Sequence, residues 1–308
     1  MKYYIGIDGG GTKSSCVIVD ENKKQLFEGT GGPTNTLTIG IETASRTVIE
    51  LVKQCKEKTN INYNQIDAVL IGSAGAGRRQ DAQLFEAGVK TAAVEANVLL
   101  KNVFVESDAI IALEGAFNSG AGCILISGTG SIMFGKDEKD KLYRIGGFGR
   151  NIGDEGSGYQ LGKRGLKAVA YQLDGRGEPT LITNLVQTNH QITTINDLIT
   201  AAFSSEFDIA SVSRAVLQAA EQGDSCALSI VTSEVDELIL HIRTMERKIA
   251  IKNLEVCFSG SLITNDNIFS KMLRTKISEI FPDVRIKGAK SSPAFGAVLL
   301  AMRRISNI

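Results

Sequence analysis

Tyr3-Tyr4-Ile5-Gly6-Ile7-Asp8-Gly9-Gly10-Gly11-Thr12-Lys13-Ser14-Ser15-Cys16-Val17-Ile18-Val19-Asp20 sets two apolar runs rich in β-branched residues on either side of a glycine turn. Such a pattern predicts a strand, a tight turn and an antiparallel partner strand. The hairpin matters because the dinucleotide fingerprint and the P-loop both require a helix to begin where their glycines end. Neither pattern fits here. What remains is three successive glycines whose backbone N–H groups can approach a phosphate, with Thr12 and Lys13 beside them. Asp8, at the strand end, suits Mg²⁺ held through water, since that ion is commonly bound by one or two carboxylates plus substrate phosphates. Gly10, Gly11, Thr12 and Lys13 are therefore candidate polyphosphate contacts.

A second loop repeats the pattern. Ala121-Gly122-Cys123-Ile124-Leu125-Ile126 leads into Ser127-Gly128-Thr129-Gly130-Ser131 and then into Ile132-Met133-Phe134. It is again strand, small-residue loop and strand, and it adds Gly128 and Thr129 to the phosphate candidates. Further on, Ile145-Gly146-Gly147-Phe148-Gly149-Arg150-Asn151-Ile152-Gly153-Asp154-Glu155-Gly156-Ser157-Gly158-Tyr159 carries glycines at 146, 147, 149, 153, 156 and 158. That density gives backbone close access to a ligand at a conformational cost that a purely structural loop has little reason to carry. As plain structure, the stretch would be a hairpin running into an N-capped helix from Glu155 onward, which accounts for Asp154 but not for the glycines.

Between the two hairpins lies Val103-Phe104-Val105-Glu106-Ser107-Asp108-Ala109-Ile110-Ile111-Ala112-Leu113, a short strand opening into an apolar helix. Asp108 reads in two ways. It can be a helix N-cap, stabilising by about 1 kcal/mol, or a carboxylate at the carboxyl end of a strand, where open α/β sheets bind ligands.

These motifs together resemble the sugar kinase, heat-shock chaperone ATPase and actin superfamily, and within it the N-acetylglucosamine kinase branch of the BadF/BadG/BcrA/BcrD ATPase family. The resemblance covers nearly the whole chain, with the motifs in the family's order. It implies two ribonuclease H-like (actin-like ATPase) α/β domains with a nucleotide cleft between them. The first would span residues 1–116, with a C-terminal helix at 292–308 crossing back to it, and the second 117–291. Resemblance also implies an ATP- and Mg²⁺-dependent kinase that phosphorylates a hydroxyl, O6 being expected, of N-acetylglucosamine or a related amino sugar. Asp108 inherits the role of general base and sugar contact. Asp154 inherits hydrogen bonds to sugar hydroxyls, and Asn35, Gly130 and Gly147 inherit further sugar contacts. Gly260, Ser261 and Asn265, in Phe258-Ser259-Gly260-Ser261 and the helix expected at 265, match the adenosine motif, with Ala210 as a backbone contact to the nucleotide. The chain departs from many relatives in having Phe148 for Trp, and from some in having Ile132 for Asn. Arg150 adds a cation that could recognise the lactyl carboxylate of N-acetylmuramate.

The helical pattern predicts helices over 41–56, 81–99, 159–173, 209–221 and 224–250, and a small-residue helix after Pro293. Lys136 to Lys141 reads as a solvated charged turn. With 308 residues, 43% of them hydrophobic, the chain can bury two cores. Formal net charge is zero, which gives no reason to expect nucleic acid or an anionic membrane as partner. No secretory signal or membrane-length apolar run is visible. Five scattered cysteines without a C-x-x-C pair argue for packed, reduced thiols in a cytoplasm. The two isolated histidines read as structural. A homodimer is one compatible assembly, being the commonest closed form. The competing function in the same family is an ATPase activator of a 2-hydroxyacyl-CoA dehydratase or benzoyl-CoA reductase. It needs an iron–sulfur cluster bridging two subunits, and the cysteines offer no suitable ligand pair.

Overall fold

Alternating and continuous β-branched runs become strands here because both faces of each sheet centre are covered. In the computed structural model, which describes residues 1–306, the chain divides into two compact units. One comprises Met1–Gly122 with Gly288–Ile308 and the other Cys123–Lys287.

The first unit begins with β1 (Tyr3–Gly9), β2 (Ser14–Asp20) and β3 (Gln25–Gly31), followed by the single turn α1 (Thr36–Ile39) and α2 (Ile41–Thr59). Then come β4 (Ile66–Ser73), α3 (Arg79–Glu95), β5 (Val103–Glu106) and α4 (Asp108–Phe117). Strand order is β3-β2-β1-β4-β5. The expected hairpin is present: Gly9 pairs with Ser14 and Tyr3 with Asp20. On its other edge β1 runs parallel to β4, and β4 parallel to β5. β4 is buried along its whole length, as a strand covered on both faces must be.

The second unit repeats this plan. Its elements are β6 (Gly122–Ser127), β7 (Ser131–Lys136), β8 (Leu142–Gly146), α5 (Gly158–Leu173), α6 (Leu181–His190), α7 (Ile195–Phe203), α8 (Ser213–Glu221), α9 (Ser225–Ile249), β9 (Glu255–Ser259), α10 (Ser261–Thr264), α11 (Ile268–Ile280) and β10 (Arg285–Lys287). Its order is β10-β9-β6-β7-β8, so β6 to β10 take the places that β1 to β5 take in the first unit. Two such α/β units define the actin-like class.

Three expectations change. Helix α3 stops at Glu95 rather than 99, where Asn97 turns to φ +54°. The segment 181–203 forms two helices beyond the ranges expected above, each started by a threonine cap, Thr180 and Thr194. Lys136 is the last residue of β7 rather than part of a solvated turn. It is buried, with its Nζ 3.5 Å from Asp140.

The last helix, α12 (Pro293–Ser306), packs on α4 and β1 within the first unit. Two glycines make this approach possible. A Cβ on Gly296 would meet the Ile111 carbonyl and the Gly115 backbone, and one on Gly115 would lie 2.5 Å from the Ser292 carbonyl. Beyond these contacts, Arg303 ties α12 to the buried Glu114 at 2.7 Å.

Gly296→Val should therefore push α12 off α4. Overpacking of this kind costs about 1–3 kcal/mol, read as a lower urea midpoint. An unchanged midpoint would mean that the two backbones are not in contact.

Candidate functional site

In the first unit the candidate residues gather at the carboxyl ends of β1, β4 and β5. Gly10 closes the hairpin turn by donating its N–H to the Lys13 carbonyl at 3.1 Å, and its own carbonyl accepts from Thr34. Gly11 has open space around its α-carbon, while Thr12 and Lys13 are exposed. The Ser14 and Thr34 hydroxyls bond at 2.9 Å, and Ser73 donates to the Thr34 carbonyl at 3.2 Å. Those bonds hold the loop carrying Asn35 against the hairpin. Asn35 caps α1 through its Oδ1, which accepts from Leu37 N–H at 3.0 Å.

Asp108 is not the cap of α4. That role falls to Ser107, whose hydroxyl accepts from Ile110 N–H, leaving Asp108 as the first helical residue, its Oδ1 accepting from Ala109 N–H at 2.8 Å. Of the two readings of Asp108, the N-cap is thus set aside in favour of Ser107. Burial pushes the Asp108 carboxyl above the ordinary aspartate range, with the N–H groups of Ala109 and of Asp108 itself pulling the other way. Asp8 is also raised, first by burial and then by the negative charge of Asp108. Two desolvated carboxylates that repel one another are a fitting place for a divalent cation.

In the second unit, Gly128, Thr129, Ala210, Ser261 and Asn265 line one cavity of about 350 Å³, together with Asp208, Ser211, Ser213, Arg214, Leu217 and Asn267. The helix expected at 265 begins at Ile268, as α11, and is preceded by the single turn Ser261–Thr264, whose C-terminal cap is Asn265. Gly260 has φ +89°, and a Cβ there would run into the Ser127 carbonyl and lie 3.0 Å from Gly128 N. Only glycine lets the two loops close on each other in this way. Gly128 and Thr129 also accept from the N–H groups of Gly158 and Tyr159 at 2.8 and 3.1 Å, which ties the glycine loop to the start of α5.

Beside that loop stands the glycine-rich stretch. Its helix begins at Gly158 and is capped by Ser157, not by Asp154. Asp154 sits in the left-handed region at φ +59°, and its carboxylate lies so close over Gly130 that a Cβ there would stand 3.1 Å from Oδ2. Burial raises its pKa, countered chiefly by the Ser131 N–H. Gly147, at φ +70°, has no room for a Cβ against Ile132. Arg144 holds it by donating to the Gly146 carbonyl at 3.1 Å and to the Gly147 carbonyl.

Several residues that matter here escaped the sequence reading. The Ser127 and Ser131 hydroxyls donate to the carbonyls of Gly156 and Glu155 at 2.6 and 2.5 Å. Glu234, 1% exposed, accepts from Gly156 N–H at 2.6 Å and pairs with Arg164 at 2.5 Å. The Asp154 loop is thereby fastened from behind. A signal for Glu234 existed, since it interrupts the apolar stripe Val231, Val235, Leu238 and Ile242 of α9. Four of the five cysteines are buried, as packing residues would be. Among the described residues no group of three or more His, Cys, Asp and Glu could hold a metal, and no helix is long and apolar enough to cross a membrane.

The profile of the BadF/BadG/BcrA/BcrD ATPase family matches residues 5–301, and the chain belongs to that family. It is 33% identical to the N-acetylmuramic acid/N-acetylglucosamine kinase of Clostridium acetobutylicum, covering 98% of each chain. Identity to the N-acetyl-D-glucosamine kinase of Dictyostelium discoideum is 30%, covering 97% of each. A solved structure of a Chromobacterium violaceum protein assigned as an N-acetylglucosamine kinase superposes with a TM-score of 0.75 at 22% identity. It covers 97% of this chain and 99% of that one, a likeness that speaks to the fold.

Gly260→Ala should weaken ADP binding by tenfold or more, about 1.4 kcal/mol, because the added Cβ forces Ser261 away from Gly128. Gly288→Ala, at a position with open space and no positive φ, serves as the control. Equal ADP affinity in both variants, by calorimetry, would remove the 350 Å³ cavity as the nucleoside site.

Proposed function

We propose that this chain is an ATP-dependent kinase of an amino sugar in the N-acetylglucosamine and N-acetylmuramic acid class. One observation carries the reading: Asp108, relieved of helix capping by Ser107, presents a half-buried carboxylate at the carboxyl edge of the first sheet, beside Asp8. The names of the two related kinases support the sugar class.

Phosphoryl transfer asks for charge neutralisation, alignment of the attacking hydroxyl and a proton acceptor, with little covalent work by the protein. Asp108 accepts the proton of the sugar hydroxyl, O6 being the expected position. Its raised pKa brings it closer to the working pH, which favours a general base. Within the first unit Gly11, Thr12 and Lys13 are the polyphosphate candidates, and within the second unit Gly128 and Thr129 are. The adenosine lies against Ala210, Gly260, Ser261 and Asn265. Asp8 would hold Mg²⁺ through water, and the ion when bound supplies neutralisation of phosphate charge. The candidate sugar contacts are Asn35 in the first unit and Gly130, Gly147 and Asp154 in the second. Arg150, exposed on the Asp154 loop with its guanidinium 6.0 Å from the Tyr159 ring, reads the lactyl carboxylate of N-acetylmuramate.

Asp108→Asn should lower sugar-dependent ADP release by about 10²–10⁴-fold while leaving ADP affinity intact. A variant as active as the parent would remove Asp108 as the base. In the parent enzyme kcat/KM should fall on acidification with an acid limb above the ordinary aspartate value, because a base raised by burial is lost to protonation earlier as pH drops. A limb at or below that value would contradict the assignment.

Arg150→Ala should reduce N-acetylmuramate turnover relative to N-acetylglucosamine by about tenfold, roughly the 1.4 kcal/mol lost with one exposed charge-assisted contact. An unchanged ratio, measured as kcat/KM for each sugar, would sink that role.

A further inference from the structure

A second cavity in the Cys123–Lys287 unit, about 720 Å³ in volume, takes no part in the chemistry above. It lies along α5 and α9, with Gly177 and Glu178 from the segment after α5 also on its lining. Its floor is apolar, formed by Ala168, Tyr171 and Ile230, and its rim carries Lys163, Arg164 and Lys167. Lys163 and Lys167, one turn apart on the same face of α5, repel each other, and neither makes an ion pair with a described residue. Lys167 lies over the Tyr171 ring at 5.4 Å. Arg164 is neutralised by Glu234, and Glu178 is the one acid on the lining. The two ammonium groups, neither in an ion pair with a described residue, therefore outweigh it by one charge.

Two of the lining side chains hold the Asp154 loop. Gln160 donates to the Gly153 carbonyl at 2.7 Å. Arg164 pairs with the buried carboxylate that accepts from Gly156 N–H. One side chain thus fastens the residue before Asp154, and the other acts through Glu234 on the residue two after it.

We propose that this cavity is a second ligand site, for a small phosphate-bearing anion with an apolar body, and that its occupancy loosens the Asp154 loop. The phosphate would seat between Lys163 and Lys167 and compete with Glu234 for Arg164, while the apolar body covers Tyr171 and Ile230. Drawing Arg164 away leaves Glu234 a buried charge with a single backbone donor, and the Gly156 contact is reorganised in response. Coupling between two binding sites is reciprocal. A sugar held by Asp154 must therefore weaken the anion to the same degree that the anion weakens the sugar.

Cys226 reports on the cavity directly. It lines the site and is the one cysteine of the five that is not fully buried. The test is the rate of Cys226 alkylation by iodoacetamide in the full chain at mildly alkaline pH, followed by mass spectrometry, with phenyl phosphate as probe and inorganic phosphate beside it. Phenyl phosphate should slow alkylation at concentrations where inorganic phosphate does not, and K163A/K167A, two exposed changes outside the catalytic groups, should abolish the protection. No slowing at millimolar phenyl phosphate, or equal slowing in the double variant, would overturn the site. Equal protection by inorganic phosphate would overturn the amphipathic class. Saturating N-acetylglucosamine should raise the phenyl phosphate midpoint about fivefold or more, and an unmoved midpoint would overturn the coupling. The alkylation arm needs no catalysis, so its failure is separable from a failure of the kinase reading. Only the coupling arm rests on that reading, and sugar-dependent ADP release checks it independently.

Discussion

Everything at the candidate site depends on β1 and β6 each having the next strand as neighbour on one side, antiparallel in the case of β1, and a later parallel strand on the other. That mixed pairing leaves a hairpin turn and the carboxyl ends of two parallel strands at one edge of the sheet. Backbone N–H groups and strand-end side chains then face the same space. In the first unit the edge carries Asp8, Ser73 and the start of α4. In the second it carries Ser127, Gly128 and Gly260. Because the loops must approach within backbone contact, glycine is required at Gly260, where both φ and the Ser127 carbonyl exclude a side chain.

A second constraint is the fastening of the glycine-rich loop. Loops with this much backbone freedom order only if other groups fix them. Here Ser127, Ser131, Gln160 and Glu234 each take one of its backbone groups. Burial raises the Glu234 carboxyl, with the Gly156 N–H and Arg164 opposing. The loop that presents Asp154 is thus held by bonds to β6, β7, α5 and α9, and its position depends on all four.

Both glycine hairpins, the strand before Asp108 and the small-residue helix near the C-terminus were legible in the sequence, because local periodicity and glycine clusters encode them. So was the convergence of Gly128, Ala210, Gly260, Ser261 and Asn265, through the resemblance to the ATPase family rather than through spacing. Capping was less legible. Ser107 and Asp108 are both good caps, and only backbone geometry shows that the serine takes the role. Helices α6 and α7, 10 and 9 residues long, are shorter than the window over which helical periodicity is read. Glu234 lies 78 residues from its partner Gly156, and no local rule connects positions so far apart. The buried Lys136 was lost for a related reason: its charged neighbours dominate the local composition, while its own side chain is covered by the fold.

The central claim is that the terminal phosphate of ATP passes to a sugar and not to water. It is tested most directly by incubating the protein with γ-labelled ATP, Mg²⁺ and N-acetylglucosamine or N-acetylmuramate, and separating the products. The account predicts label in a sugar phosphate, formed only when the sugar is present. Label released solely as inorganic phosphate, at a rate indifferent to the sugar, would contradict it.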